Sequence, residues 1–407
     1  MDTDDRHPVE LLAEEFSERL RRGESPSIDE YIARLPEQAD LVRQVLRPID
    51  AMERVGSAEL SQRQFDSQTH RLARAQPQLG DFRIIRQVGR GGMGVVYEAI
   101  QQSLNRRVAL KVLAPNIASS PDEFRRFQLE ATAVAQLHHT NIVPIYGVGQ
   151  AEGVHFYAMQ FIDGVSLADA LARLRRLRTA GHWDGETLHE ASREFVWERC
   201  ELAQTSARPQ QYVRVVAKLG HALADALDHA HQQGIIHRDI KPGNLLLDSQ
   251  GVWLTDFGVA KLSSEATQTR TGSLLGTLRY MAPEQFTGQA DARSDIYSLG
   301  LTLLELLTFK PVFSDLTQAH LIQTKTSGDG ALPMADLRNY PRDLATIVRK
   351  ACAADPAARY ATAAEMADDL QCFLDDRSIR ARRASPLERL LRWGRRNPSV
   401  AGLAATV

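Results

Sequence analysis

The chain has 407 residues, enough for two or three domains, and its 43% hydrophobic and 25% charged content is that of a soluble globular protein. A net charge of −2 argues against a polyanion as partner of the molecule as a whole. Cys200, Cys352 and Cys372 are widely spaced and form no C-x-x-C pair, which argues against a zinc knuckle or disulfide framework and for a reducing compartment.

Residues 1–76 are charged and rich in helix formers, and the acidic start "MDTDDRHPVELLAEE" lacks the apolar core of a secretory signal. Leu11, Leu12, Phe16 and Leu20 recur at helical spacing, as do Leu41, Val42, Val45 and Leu46. Pro26, Pro36 and Pro48 divide the region into short helices, and "RLARAQPQLGDF" reads as a linker. Nothing here carries catalytic chemistry, so an interaction or regulatory role is expected.

From Leu79 the pattern turns to strands and then to long helices. In "QVGRGGMGVVYEA" Gly89, Gly91 and Gly94 form G-x-G-x-x-G. Four structures share that spacing: a dinucleotide-binding turn, the first half of a P-loop, a phosphate-covering loop between two strands, and a plain tight turn. "VVYEAI" and "RRVALKVL" follow, rich in strand formers, where a dinucleotide turn would open a helix. Val95 and Val96 stand where a P-loop needs Lys and Ser/Thr. A strand–loop–strand phosphate cover is therefore the favoured reading. The alternation sets Ala109 and Lys111 on one face, where Lys111 can neutralise phosphates; by itself it would equally be a solvated strand lysine.

"SSPDEFRRFQLEATAVAQL" predicts a helix capped by Ser120, with Pro121 in its first turn and Glu123 completing a capping box. Phe127, Glu130, Ala131 and Val134 share one face of it. A carboxylate on an apolar face needs a cationic partner, and Lys111 is the natural candidate for Glu130 unless Glu130 is exposed.

The most specific signal lies in "GIIHRDIKPGNLLL" and "WLTDFGVAKL". With His237-Arg238-Asp239, Lys241, Asn244 and Asp256-Phe257-Gly258 in this order, the chain from Leu79 to Asp376 resembles a protein kinase, of the bacterial eukaryotic-like serine/threonine type. The resemblance implies an α+β, two-lobed fold: a small β-rich lobe over 79–160, a large helical lobe over 161–376 and an insertion at about 175–210. It implies that Asp239 orients the substrate hydroxyl and takes its proton, that Lys241 contacts the γ-phosphate, and that Lys111 and Glu130 form the phosphate-side ion pair. Asn244 and Asp256 would bind Mg²⁺ (or Mn²⁺). ATP would lie under Val88, Gly89, Arg90, Gly91, Gly92, Met93 and Gly94, against Val96 and Ala109. Met159 would be the gatekeeper, and Gln160 and Ile162 would offer backbone groups to adenine.

Lys241 and "GTLRYMAPE", with Thr277 expected to touch Asp239 and Lys241, resemble the serine/threonine pattern rather than that of tyrosine kinases. Arg238 is the family's reader of activation-loop phosphate, and of Thr267, Thr269, Thr271 and Ser273 the expected phosphosites are Thr269 and Thr271. Glu284 should pair with Arg359, and Asp295 should hold the catalytic-loop backbone. The competing reading is a pseudokinase scaffold that recruits partners through the N-terminal helices and the insertion; it would usually lack Lys111, Asp239 or Asp256, and here all three are present.

Between Leu167 and Tyr212 the chain is longer than this family's usual helix connection, and His182, His189 and Cys200 there lack metal-ligand spacing. Residues 377–407 carry Arg377, Arg380, Arg382, Arg383, Arg389, Arg392, Arg395 and Arg396 before the apolar "SVAGLAATV". That is the positive-inside pattern, although the run is short of the ~20 residues a membrane helix needs. The expectation is a cytoplasmic kinase domain attached to the inner face of the membrane by a segment this chain only begins; a solvated basic tail is the alternative. Expected partners are ATP, proteins with Ser/Thr hydroxyls, the membrane, and a second copy for trans-autophosphorylation, with no nucleic acid, since aromatic interleaving is nearly absent.

Overall fold

Strand-forming residues from Phe82 to Leu113 build three long antiparallel strands, β2 (Phe82–Gly91), β3 (Gly94–Gln101) and β4 (Arg106–Leu113). The computed structural model describes residues 8–21, 26–43, 45–46, 78–91, 94–114, 121–179, 209–257, 276–314, 316–326 and 334–382. With β1 (Gln78–Leu79), β5 (Ile145–Ala151) and β6 (Val154–Gln160) the strands form a six-stranded sheet in the order β1-β2-β3-β4-β6-β5. Its pairings are all antiparallel. Helix α3 (Pro121–Ala135) buries Phe127, Ala131 and Val134, the stripe its spacing predicts.

The large lobe is helical: α4 (Leu167–Thr179), α5 (Pro209–Gln232), α6 (Ala292–Thr308), α7 (Gln318–Thr326), α8 (Arg342–Ala351) and α9 (Ala363–Leu374). A three-stranded sheet of β7 (Val165–Ser166), β8 (Leu245–Leu247) and β9 (Val252–Leu254) carries the catalytic segments. Asp291 caps α6 by accepting from Arg293 N–H, and every residue from Ser294 to Thr308 is buried, which makes this helix the lobe's axis. One apolar core runs through both lobes, from Leu79 and Tyr97 to Met366 and Ile379. This is the α+β two-lobed architecture that the sequence implied.

Packing continues past residue 376. Fully buried Asp369 accepts from the Tyr360 hydroxyl at 3.0 Å and from the N–H groups of Arg380 and Ala381 at 2.6 and 3.0 Å. Arg382 then pairs with Asp343 at 2.8 Å.

The N-terminal region has its own core. Helices α1 (Pro8–Arg21) and α2 (Ile28–Arg34) join Val42 and Leu46 around Val9, Leu12, Phe16 and Tyr31. The buried stripe agrees with the expected one except at its edge. Leu12, Phe16, Val42 and Leu46 are buried as expected, Val9 and Tyr31 join them, and Leu11 and Leu41 are each 41% exposed. Outside the described residues lie Ser120, residues 71–77 of the linker (its end forms β1 and opens β2), His182, His189, Cys200 and most of the insertion, and all residues after Arg382.

Candidate active site

The cleft is assembled by strand register. Lys111 on β4 faces Val96 on β3 and Tyr157 on β6, while Ala109 faces Met159, so these side chains share one face of the sheet. Lys111 reaches across to the large lobe, where its Nζ lies 2.6 Å from Asp256 Oδ1. That pair was not foreseen from the sequence. Glu130, the partner then expected, is half-buried on α3 beside Phe127 and Ala131.

Two non-glycine residues of the catalytic segments have left-handed backbone, Arg238 at φ +64° and Asp256 at φ +58°. Such conformations cost energy and persist only where the surroundings impose them. For Arg238 the constraint is Asp295, whose buried carboxylate accepts from the N–H groups of His237 and Arg238, both at 2.8 Å, with His231 Nε2 also at 2.8 Å. Gln285 donates to the Arg238 carbonyl at 3.2 Å. His237 accepts from Asp239 N–H at Nδ1 (3.2 Å), so its Nε2, 3.1 Å from the Thr255 carbonyl, carries the proton. Burial lowers the His237 pKa, consistent with this neutral form. Phe257 packs on the imidazole at 4.5 Å.

The buried Asp239 carboxylate sits at the centre. Its Oδ2 accepts from Lys241 Nζ at 2.8 Å and from Asn244 Nδ2 at 2.9 Å, and Lys241 also donates to Thr277 Oγ1 at 2.8 Å. Asn244 Nδ2 bonds the Asp239 carbonyl as well, at 2.8 Å. With its NH₂ turned to Asp239, the planar amide turns its carbonyl oxygen the other way.

Asp256 accepts at Oδ1 from both Lys111 and the Tyr157 hydroxyl, the latter at 2.9 Å. Burial pushes its carboxyl up, but the Lys111 ammonium and these two bonds outweigh burial and hold it below the usual carboxylate range. An Asn carbonyl and an Asp carboxylate are the hard oxygen donors Mg²⁺ takes. Among the described residues no group of three or more His, Cys, Asp and Glu side chains can hold a metal. An ion here would complete its shell from phosphate and water, as Mg²⁺ commonly does. The donor set fits that metal.

In the adenine region Met159 is buried and its sulfur accepts from Thr255 Oγ1 at 3.7 Å. Gln160 N–H donates to the Pro144 carbonyl and Gly164 N–H to the Ile162 carbonyl, each at 3.0 Å. Above the cleft, Val88 is 41% exposed and Arg90 and Gly91 are exposed, with Gly89 half-buried. Gly94 has φ +142°, and a Cβ there would stand 2.0 Å from the Val112 carbonyl oxygen. The close β3–β4 approach therefore requires glycine at this position. At Gly91 an added Cβ would meet nothing within 4 Å.

Gly92, Met93, Gly258 and the hydroxyl-rich stretch with Thr267, Thr269, Thr271 and Ser273 lie outside the described residues. Sequence reasoning missed Tyr157, whose signal was its alternation with Met159. It also missed Lys325, a buried ammonium that donates to the Arg279 and Met281 carbonyls at 2.7 and 2.6 Å.

Comparison with known proteins agrees with this geometry. The profile described as "Protein kinase domain" matches residues 82–370. The chain is 33% identical over 298 residues to the serine/threonine-protein kinase PrkC of Bacillus subtilis, covering 73% of this chain and 41% of that one. To the serine/threonine-protein kinase PknB of Mycobacterium leprae it is 35% identical over 300 residues, covering 72% and 42%. The match thus spans about two fifths of the length of these relatives. Among solved structures, the kinase domain of Mycobacterium tuberculosis PknI is similar with a TM-score of 0.50 and 28% identity, over 73% of this chain and 96% of that domain. On this evidence the chain belongs to the protein kinase family.

Proposed function

We propose that the chain is an ATP-dependent serine/threonine protein kinase that moves the γ-phosphate of ATP to Ser/Thr hydroxyls of proteins. The observation that carries this reading is the Asp239 carboxylate, bonded at once to Lys241 and Asn244, with Lys241 bridging to Thr277. Phosphoryl transfer needs positioning and charge neutralisation more than covalent help. Asp239 would orient the acceptor hydroxyl and take its proton, and Lys241 would meet the γ-phosphate. Lys111 would neutralise phosphates, steadied by Glu130. Asn244 and Asp256 would hold the Mg²⁺ or Mn²⁺ that neutralises charge between the phosphates.

Adenine would pack between Val88, Val96 and Ala109, with Met159 behind it. Because the Gln160 N–H and the Ile162 carbonyl are already bonded, Gln160 would offer its carbonyl and Ile162 its N–H, the pair an adenine edge requires. Val88, Gly89, Arg90, Gly91, Gly92, Met93 and Gly94 would cover the phosphates. The full set of Lys111, Asp239 and Asp256 speaks against a scaffold without catalysis.

Regulation would pass through Arg238. Its Nε is buried and bonds no acceptor among the described residues, which supports a guanidinium waiting for phosphate on Thr269 or Thr271. A second copy of the chain would deliver that phosphate in trans. The basic residues after Arg382 would lie against the inner face of the membrane ahead of a spanning segment; no helix of the described residues is itself long and apolar enough to cross one. The N-terminal helices and the insertion would bind partners or regulate.

Incubating the full chain with ATP and Mg²⁺ and mapping phosphosites by mass spectrometry tests this reading. Phosphoserine or phosphothreonine in the wild type, absent in Asp239→Asn, is expected; equal incorporation by both refutes the assigned base. Active wild type unmodified at Thr269 and Thr271 refutes the phosphosites. Recovery of the intact gene product entirely in the soluble fraction refutes the anchor.

A further inference from the structure

In "VHFYAMQ" the strand alternation sends residues 157 and 159 to the cleft face of β6. An aliphatic side chain would fill the Tyr157 position as core. A buried phenol is a costlier choice, because its hydroxyl loses water and must find a partner. The partner is Asp256 Oδ1 at 2.9 Å, the same oxygen that Lys111 contacts at 2.6 Å. The ring contributes too. Phe127 of α3 packs on it at 6.2 Å between centroids, and Lys111 Nζ lies 5.8 Å from its centre.

These contacts carry a consequence for Asp256. Two donors on Oδ1 fix the carboxylate rotamer, and Oδ2 accepts from neither. On the kinase reading Lys111 is needed at the ATP phosphates, so it cannot remain the only group that orients Asp256. The Tyr157 hydroxyl has no such second duty. It is held by the β4–β6 register opposite Lys111 and would stay on Asp256 were the ammonium to turn to the phosphates.

We propose that Tyr157 is a positioning residue for Asp256: its hydroxyl presets the carboxylate for the divalent cation, and its ring, packed on Phe127, ties that carboxylate to helix α3. The proposal rests on the kinase reading, since it assumes that Asp256 is a metal ligand.

The test is Mn²⁺ binding in the presence of ATP, read from loss of the free Mn²⁺ electron paramagnetic resonance signal with the full chain. Tyr157→Phe keeps the ring and removes the hydroxyl. Losing a hydrogen bond to a charged group corresponds to about tenfold weaker Mn²⁺ affinity. Binding of a fluorescent ATP analogue in EDTA should stay at the wild-type value, because the hydroxyl is bonded to Asp256 and the ring is kept. Tyr97→Phe removes another buried hydroxyl of the same sheet, on the face opposite Lys111 since Tyr97 pairs with Leu110, and should leave Mn²⁺ affinity unchanged. Equal Mn²⁺ affinity in wild type and Tyr157→Phe overturns the proposal, and so does an equal loss in both tyrosine variants, which would mean a loosened lobe. If the wild type itself binds no Mn²⁺ with ATP, the kinase reading falls and the role of Tyr157 falls with it.

Discussion

Arg359 closes a bidentate ion pair on Glu284, with its guanidinium nitrogens 2.7 and 2.8 Å from the two carboxylate oxygens and its side chain fully buried. The same guanidinium donates to the carbonyls of Arg293, Ala353 and Ala354 at 3.0, 2.7 and 2.9 Å. The pair therefore joins the segment ahead of α6 to the turn ahead of α9. Removing one partner leaves a buried charge uncompensated, at a cost of about 3–5 kcal/mol. Arg359→Ala is expected to lower the urea midpoint of the large lobe accordingly, without touching a group that meets substrate. An unchanged midpoint would contradict this bracing role.

A second prediction concerns Lys325. Burial pushes its pKa down from 10.5 to about 7, against the pull of Cys352 and Glu284. The folded-state value lies below the unfolded one, so between about pH 7 and 10.5 the unfolded chain binds the extra proton. Stability must then rise with pH across that window, by at most about 1.4 kcal/mol per pH unit. Urea titrations at pH 7, 8 and 9 should show this rise in the wild type and a flatter profile in Lys325→Met. Parallel profiles would mean that Lys325 keeps its proton and that its carbonyl and aromatic neighbours outweigh burial.

How far the site could be read from sequence depended on what kind of relation was involved. Asp239, Lys241 and Asn244 were legible because they stand within six residues of one another, in an order that resembles the protein kinase catalytic loop. The link from Lys111 to Asp256 spans 145 positions, and no periodicity carries a distance across that gap. Tyr157 was hidden for another reason: a tyrosine in a strand is ordinary core until its hydroxyl is seen to have one partner. Lys325 near the end of α7 would be read as solvated, and only packing against Tyr297 and Phe313 reveals otherwise. Helical spacing gave most of the inner face of the N-terminal helices, with Leu12, Phe16, Val42 and Leu46 buried as expected, but not its edge, where Val9 rather than Leu11 turns inward.

Asp239 supplies a third prediction. Its Oδ2 holds Lys241 and Asn244, so an amide in its place keeps an acceptor but loses the charge and the basicity. General-base assistance is typically worth about 10²–10⁴-fold. Asp239→Asn is therefore expected to lower kcat by that factor with little change in ATP affinity, because no adenine- or phosphate-covering group is altered. Rapid-quench kinetics beside nucleotide titration separates the two. A variant that loses ATP binding instead would reassign Asp239 from proton transfer to assembly of the cleft.

The glycines of the loop give the fourth prediction, because their geometry divides them. At Gly94 the backbone φ of +142° is one that L side chains rarely adopt, and a Cβ would stand 2.0 Å from the Val112 carbonyl oxygen. Gly94→Ala must therefore shift β3 away from β4, with about 1–3 kcal/mol of strain from the backbone conformation alone. A Cβ on Gly91 meets no atom within 4 Å, so Gly91→Ala should melt within the ~0.5 kcal/mol of an ordinary surface substitution. What Gly91→Ala adds is bulk on the exposed edge where the loop would cover phosphate. Its expected signature is a raised KM for ATP at unchanged stability, whereas Gly94→Ala should lose stability first. Thermal unfolding paired with steady-state kinetics on both variants checks the division, and a stable Gly94→Ala with an unperturbed small lobe would refute the packing argument for that glycine.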